Sequence, residues 1–327
     1  MTSMQDIADR LKISKSTVSL VLSGKSEGRV SEPVKQQVLE TAREMDYHLN
    51  GLARSLRVGS SNLISVIVTD ISNEFFGNMT FYIQEEAKKA GYLVLTINSN
   101  ESDEEFDQMA RLLISKKVDG IIAVPTPAGA ASMQMIKDQG VPLVTVDRIC
   151  EGIDADYVGV DNYDAAKKAV KELIRDGLRK IIMMRLDLDI PPLNERERGY
   201  VDAMKEAHLD RYIQLHRIRF GEGMEEDLDN SLDAALESDA VFFTSHRVFT
   251  EAMKNVAKVG GVPHGQCVLC FDDVRPYMTG TSDIRYIEQP IAQIARKAFD
   301  LLLEKMHGET GTGRYVFPTR SITRSNM

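Results

Sequence analysis

The chain has 327 residues, 43% of them apolar, which is enough to bury the cores of two or three domains. No apolar run approaches the length of a membrane span and the first eight residues do not resemble a signal peptide, so we expect a cytoplasmic protein without a membrane partner. The cysteines Cys150, Cys267 and Cys270 provide no disulfide framework. The formal net charge of −9 would disfavour a nucleic-acid partner if it were evenly spread, but residues 1–60 carry nine basic against seven acidic side chains.

Residues 4–22 have the pattern of two short amphipathic helices joined by a tight corner. Apolar residues from Met4 to Leu11 recur on one helical face, and Ser14 is a typical N-cap for a second helix. The outward face of that second helix carries Lys15, Ser16, Ser19 and Leu20. Small side chains let a helix approach base edges in the DNA major groove, so the pair favours a helix-turn-helix. A two-helix cap on a larger domain is the alternative.

A third helix is predicted from Ser31 onward, and it completes a small three-helix core. The segment 51–57 allows a helix of two turns at most, which we expect to form only on DNA, and residues 59–61 indicate a flexible joint. With these residues the chain resembles the lactose-repressor (LacI/GalR) family of bacterial transcription regulators. The matching residues are Asp6-Ile7-Ala8, Ser14, Thr17-Val18-Ser19, Val21-Leu22, Val30-Ser31, Tyr47, Asn50 and Leu52-Ala53-Arg54-Ser55-Leu56.

From Leu63 onward, short apolar runs alternate with amphipathic helices. The predicted strands span 63–68, 92–97, 120–124, 143–146, 157–160, 180–184, 213–220, 240–243 and 268–271. The predicted helices span 77–90, 104–116, 130–139, 163–176, 194–207, 225–236 and 249–258. Continuous apolar runs indicate strands buried on both faces. The chain therefore predicts a three-helix head (1–47), a hinge helix and linker (48–61), and a two-lobed α/β body (62–327) with doubly wound parallel sheets, similar to periplasmic binding proteins.

Ligands of open parallel sheets bind beyond the carboxyl ends of the strands, so the residues that follow each predicted strand are the candidate site. This rule and the resemblance together imply a small polar effector, such as a sugar, held by Asp70, Phe75, Phe76, Asp147, Arg148, Arg198, Phe220, Ser245, His246, Asp272 and Gln289, although Ser245-His246 departs from the family's usual residues. The resemblance also implies DNA contacts from Ser3, Ser14, Lys15, Ser16, Thr17, Ser19, Leu20, Ser31, Tyr47, Asn50, Ala53, Arg54 and Leu56. Two heads of a homodimer, held together by the lobes, would read a pseudo-palindromic operator, with Leu56 as a minor-groove wedge.

The rim of this site has more basic side chains than a pocket for neutral sugars needs. Arg185, His246 and Arg247 add to the two arginines that the resemblance implies, and guanidinium groups bind carboxylate or phosphate strongly. This favours an effector with an acidic group, such as a uronate or a sugar phosphate. The alternative is a neutral sugar, with Arg185 and Arg247 engaged by Asp187 and Glu251 at the surface.

Other functions find little support in the sequence. Cys267 and Cys270 have a metal-like spacing but fall in a predicted buried strand, where residues three apart face opposite ways. No P-loop, nucleophile elbow or catalytic constellation occurs, so we expect no enzyme, cofactor or metal. A solute-binding protein without DNA function is the second hypothesis. Lys12 and Leu20 depart from the family, which usually has a glycine and often a guanine-reading arginine at those positions.

Overall fold

A computed structural model describes residues 2–47, 60–258, 265–277 and 283–323. The chain divides into two compact units between Ser61 and Asn62. The predicted hinge helix, with Asn50, Ala53, Arg54 and Leu56, lies outside the described residues.

Within residues 2–47, the N-terminal unit has three helices, α1 (Met4–Leu11), α2 (Lys15–Leu22) and α3 (Glu32–Glu44). Helix α1 begins with a capping box in which the Ser3 hydroxyl accepts a hydrogen bond from the Asp6 amide and the Asp6 carboxylate accepts one from the Ser3 amide. The six buried apolar residues of this described segment form one cluster around Ile7 and Val18. A core this small leaves little surplus stability, so single caps and turns matter to the head.

The corner between α1 and α2 contains a strained residue. Lys12 has a φ of 53°, in the left-handed region that glycine occupies without strain. The Ser14 hydroxyl then accepts a hydrogen bond from the Thr17 amide at 3.1 Å and starts α2. Ser31 also occupies an N-cap position, but its side chain makes no capping hydrogen bond, contrary to the role that its position before α3 suggested.

The second unit, from Asn62 onward, contains two parallel sheets covered by helices. Its strands are β1 (Leu63–Val68), β2 (Leu93–Asn98), β3 (Gly120–Ala123), β4 (Leu143–Val146), β5 (Asp156–Val160), β6 (Ile181–Leu186), β7 (Gln214–Ile218), β8 (Ala240–Phe243), β9 (Cys267–Phe271), β10 (Asp283–Glu288), β11 (Arg314–Phe317) and β12 (Arg320–Ile322). Its helices are α4 (Glu74–Lys89), α5 (Asp103–Ser115), α6 (Ala130–Asp138), α7 (Asn162–Arg175), α8 (Pro191–Glu206), α9 (Met224–Leu236), α10 (His246–Lys258) and α11 (Ile291–Met306). Short 3₁₀ turns occur at Asp210–Tyr212 and Arg275–Tyr277.

Each sheet forms the centre of one lobe. The first has the strand order β11-β5-β4-β3-β1-β2 with parallel pairing between all its described strands. The second has the order β12-β10-β9-β8-β6-β7, in which β12 pairs antiparallel with β10 and the other described strands are parallel. The chain passes between the lobes three times, after β5, at Gln289-Pro290 and between β11 and β12. The predicted two-lobed, doubly wound fold is confirmed.

The continuous apolar runs are buried strands, as their composition predicted. Every residue of β3, β4, β5, β6, β8 and β9 is buried. Within β9, Cys267 belongs to one apolar cluster and Cys270 to another on the opposite face of the sheet, so the two thiols point apart. In the described part of the chain, no helix combines the length and apolar character that crossing a bilayer requires.

Candidate functional site: a cleft between the two lobes

A cavity lies where the carboxyl ends of strands from both sheets meet. Its lining consists of Asp70, Asn73, Phe75, Phe76, Glu101, Asp147, Arg148, Leu186, Ile190, Pro192, Leu193, Arg196, Phe220, Ser245, Arg247, Asp272 and Gln289. Nine of the predicted effector residues are among them: Asp70, Phe75, Phe76, Asp147, Arg148, Phe220, Ser245, Asp272 and Gln289. Arg198 and His246 are not. The rule for parallel sheets therefore located the cavity but not each side chain in it.

Arg196, and not Arg198, is the arginine that α8 directs into the cavity. The Arg196 guanidinium is buried, donates to the Asn162 Oδ1 atom at 2.8 Å, and lies 3.5 Å from the ring centroid of Phe271. Arg198 is exposed and lies over the ring of Tyr163 instead. Two residues along a helix turn the side chain by about 200°, so both cannot face the cleft.

Helical phase could have identified Arg196 from the sequence. Leu193 and Tyr200, three residues before it and four after it, are both buried apolar residues on the same face. The adjacent Gly199 has a packing role, because a Cβ atom there would lie 2.5 Å from the Tyr163 carbonyl oxygen on α7. The prediction that Arg198 binds the effector is therefore wrong, and Arg196, two residues earlier, takes that place.

Asp147 and Asp272 occupy equivalent positions in the two lobes, each directly after a central strand. Both have left-handed backbone, with φ angles of 65° and 91°, which costs a non-glycine residue on the order of 1 kcal/mol each. Burial raises the pKa of Asp147 to about 6, although the Arg148 and Arg196 guanidinium groups oppose that rise. Burial likewise raises the pKa of Asp272, and Arg196 opposes it. Two buried carboxylates thus share one buried guanidinium group.

Two hydrogen bonds hold the Asp272 carboxylate in place. Its Oδ1 atom accepts from the Gln289 side-chain amide at 2.6 Å, and its Oδ2 atom accepts from the His246 backbone amide at 3.2 Å. Gln289 stands at the passage between the lobes, and His246 begins α10. The carboxylate is therefore connected to elements that a movement of the lobes would displace.

A second buried ion pair lines the first lobe's side of the cavity. The Arg148 guanidinium donates to both oxygens of Glu101, at 2.6 and 2.7 Å, and both side chains are at most 7% exposed. Arg148 Nε has no hydrogen-bond partner among the described residues and lies 3.6 Å from the nearest Asp147 oxygen. Sequence reasoning did not identify Glu101, because acidic residues at the start of a predicted helix are explained as well by their favourable interaction with the helix dipole.

The extra cations expected at the rim are largely engaged elsewhere. Arg185 is buried against Glu197, at 2.6 Å, and does not line the cavity, which corrects its predicted place there. The predicted effector contact of His246 also needs correction, because its ring lies 3.1 Å from Glu74 on the other lobe and only its backbone reaches Asp272. Arg247 does line the cavity and donates to the Ser72 hydroxyl across the cleft.

In the head, most of the predicted DNA-binding residues lie on α2 or at its N-cap, while Ser3, Ser31 and Tyr47 lie at the ends of α1 and α3. Lys15 and Ser16 are exposed, while Thr17, Ser19 and Leu20 are partly buried. The Ser14 hydroxyl lies 2.7 Å from that of Ser16, so the start of α2 presents a hydrogen-bonded group of hydroxyls. Tyr47 packs against the core of the head, and Ser3 is occupied by its capping box.

Three family models match the chain. Residues 3–50 match "Bacterial regulatory proteins, lacI family", residues 64–242 match "Periplasmic binding protein domain", and residues 170–326 match "Periplasmic binding protein-like domain". The match to the lacI family model covers the head, and the other two cover the body.

Named relatives align over nearly the whole chain. The ribose operon repressor of Halalkalibacterium halodurans is 27% identical over 99% of this chain and 96% of its own. The transcriptional repressor CytR of Escherichia coli is also 27% identical, over 99% and 95%. The crystal structure of a LacI family transcriptional regulator from Silicibacter pomeroyi, 18% identical, superimposes with a TM-score of 0.82 over 99% of this chain and 98% of that one, and supports the fold. These relatives are regulators rather than enzymes, and they do not favour the hypothesis of a plain solute-binding protein. The chain belongs to the LacI/GalR family of bacterial transcription regulators.

Proposed function

We propose that this regulator is a cytoplasmic homodimeric repressor whose operator affinity is set by a polyhydroxylated effector, such as a sugar or nucleoside, in the cleft between its lobes. The proposal rests on the observation that Asp147, Arg196 and Asp272 line the same cavity. Carboxylates accept hydrogen bonds from hydroxyl groups and a guanidinium group donates them, so the three side chains can bind neighbouring hydroxyls of one ring. Phe75, Phe76 and Phe220 provide the apolar walls.

The ring of the effector would replace the interactions that the three side chains now make with one another. Each buried carboxylate carries a penalty for its charge, and hydroxyl donors that enter the cleft would reduce that penalty. The named repressor of a ribose operon among the relatives is consistent with an effector of this class.

Effector binding requires the lobes to move apart and close again. The cavity volume is about 50 Å³, far below the ~300–1,000 Å³ of typical ligand pockets. Ser72 and Glu74 of the first lobe face Arg247 and His246 of the second, so the closed cleft is bridged by polar contacts. An effector that stabilises one separation of the lobes over another would change the spacing of the two heads.

The surface of the first lobe supports dimerisation through the body. Edge strand β2 and the helices before and after it expose five large apolar side chains, Phe81, Tyr82, Leu93, Leu95 and Leu112. Leu93 is 75% exposed on an edge strand of the sheet. Edge strands present backbone N–H and C=O groups that can pair with another chain. We assign this face to a second copy of the chain, because two heads must be held together to read two half-sites.

A mobility-shift experiment tests the proposal. Full-length protein is used to select bound fragments from sheared genomic DNA, and the selected fragment is titrated with and without a panel of sugars and nucleosides. We expect a shifted complex on a pseudo-palindromic site and a change in its affinity with at least one compound. Failure to retain any specific fragment would refute the repressor function, and retention without response to any polyhydroxy compound would refute the effector class.

A further inference from the structure

We infer that Glu101 is a specificity-determining residue that neutralises Arg148 in the cleft and so restricts the site to uncharged polyhydroxy effectors. This inference rests on the proposed effector function and assigns the charge class of the ligand. It reverses the preference for an acidic effector that the count of basic residues suggested.

The geometry of the pair shows that Arg148 is already satisfied as an anion-binding group. Both terminal nitrogens of its guanidinium donate to the two oxygens of Glu101, in the same two-pronged arrangement that an incoming carboxylate or phosphate would need. One of those nitrogens also reaches the Pro125 carbonyl oxygen at 3.2 Å. An anion could use Arg148 only by displacing Glu101, which would leave a buried carboxylate without its partner.

The backbone at Glu101 adopts an unfavourable conformation. Asn100 and Glu101 both have left-handed backbone, with φ angles of 53° and 57°, a conformation that is unfavourable for consecutive non-glycine residues. The side chain of Asn100 is tied to Asn98 before it and donates to Glu105 after it at 2.7 Å. The turn thus holds Glu101 against Arg148, which is a reason to regard Glu101 as part of the site.

The charge balance of the whole lining agrees. Asp70, Glu101, Asp147 and Asp272 face three arginines, so with every group ionised the cleft has one excess negative charge. Arg247 is further offset by Glu251 at 3.8 Å, outside the lining. A phosphorylated ligand would bring up to two more negative charges into this buried space, where repulsion is poorly screened. A neutral ring with hydroxyl groups meets no such penalty.

The test uses inorganic phosphate and one substitution in each of two similar ion pairs. Glu101→Gln frees Arg148 inside the cleft, whereas Glu197→Gln frees the buried Arg185 and the half-exposed Arg217, neither of which lines the cavity. Thermal unfolding of the full chain is followed with increasing phosphate at constant ionic strength. We expect phosphate to stabilise the Glu101→Gln variant beyond the wild type, with no such gain for Glu197→Gln. Equal responses of the two variants would overturn the inference.

A second measurement does not depend on whether Glu101→Gln folds. Calorimetric titration of the wild type compares sugars and nucleosides with their own phosphate esters. Each ester is expected to bind about tenfold or more weakly than its neutral parent, a difference of about 1.4 kcal/mol or more, because its added charge is repelled by a cleft that already carries excess negative charge. An ester that binds as tightly as its parent would overturn the assignment. Binding of the operator by the same wild-type preparation is measured in parallel. Absence of operator binding would contradict the proposed function, whereas operator binding together with tight binding of an ester would contradict only the role of Glu101.

Discussion

The Arg196 guanidinium lies 3.5 Å from the ring centroid of Phe271 and interacts electrostatically with the carboxylates on either side of the cleft, Asp147 and Asp272. A planar guanidinium can stack on an aromatic ring and donate in its own plane at the same time, and a lysine ammonium cannot. Arg196 is therefore fixed in orientation before any effector arrives, which reduces the ordering that binding would require.

We predict that Arg196→Lys weakens effector binding on the order of 100-fold, while it leaves operator binding by the free protein in place. The substitution removes the stacking on Phe271 and one of two hydrogen-bond donors that lie in the plane of the guanidinium group. Each hydrogen bond to a charged group is worth about 1.5–3 kcal/mol. Calorimetry with the effector found by screening measures the change. Arg198→Lys is the matched control, since Arg198 lies over Tyr163 away from the cavity. Equal effects of the two substitutions would show that Arg198 had been excluded wrongly.

The next prediction concerns the buried carboxyl group of Asp147, whose pKa is raised to about 6 by burial. Because the folded-state pKa lies above the ordinary value of 3.8, the contribution of this group to stability is present in full below that value and is lost as pH rises through about 6. Asp147→Asn removes the ionisation, and asparagine tolerates the left-handed backbone at this position.

We expect the free energy of unfolding of Asp147→Asn, relative to wild type, to rise by roughly 2 kcal/mol between pH 4 and pH 8. Urea unfolding at both pH values measures it. The control Asp138→Asn removes one acidic group at an exposed position. A difference between Asp147→Asn and wild type that does not change with pH would mean that the carboxyl group titrates normally in the folded protein.

The contrast between Arg196 and Arg198 shows which parts of the fold and of the site can be predicted from the sequence. Apolar runs and helical periodicity fix which strands are buried, and the rule for parallel sheets fixes the edge at which ligands bind, so Asp147 and Asp272 could be placed in advance. Helix α8 begins at Pro191, three residues before the predicted start, and the side chain that enters the cavity depends on the rotation of that helix. The Glu101–Arg148 pair spans 47 residues, and no local pattern connects its two members.

Leu20 on α2 is predicted to contact a thymine methyl group in the operator. It is partly buried, close to the exposed Lys15 and Ser16 that would reach base edges. Leucine has no hydrogen-bond donor, so it cannot make the two-pronged guanine contact that arginine makes. Operator selection from a randomised library should therefore return a thymine–adenine pair at the position where an arginine would select guanine.

The substitution Leu20→Arg should move that preference toward guanine by about 1–3 kcal/mol of discrimination. Leu20→Ala should reduce the preference for thymine without creating another. Lys35→Ala on α3, whose ammonium group pairs with Glu32, serves as a control that leaves α2 unchanged. Selection of guanine by the wild type at this base pair, unaltered by Leu20→Ala, would exclude Leu20 as the residue that reads it.

Dimerisation through edge strand β2 gives the last prediction. Leu93→Asp places a charge where the proposed interface would bury a leucine, which is worth about 1.5–3 kcal/mol, so we expect dimer dissociation to increase on the order of tenfold to a hundredfold. The other edge of the same sheet offers a matched control, because Val316 on β11 is also exposed, at 44%. Sedimentation velocity over a range of concentrations should show monomer for Leu93→Asp where both the wild type and Val316→Asp remain dimeric. A fragment that starts at Ser61 should dimerise like the full chain, since the proposed interface lies entirely in the body. Dissociation by Val316→Asp and not by Leu93→Asp would move the interface to the opposite edge.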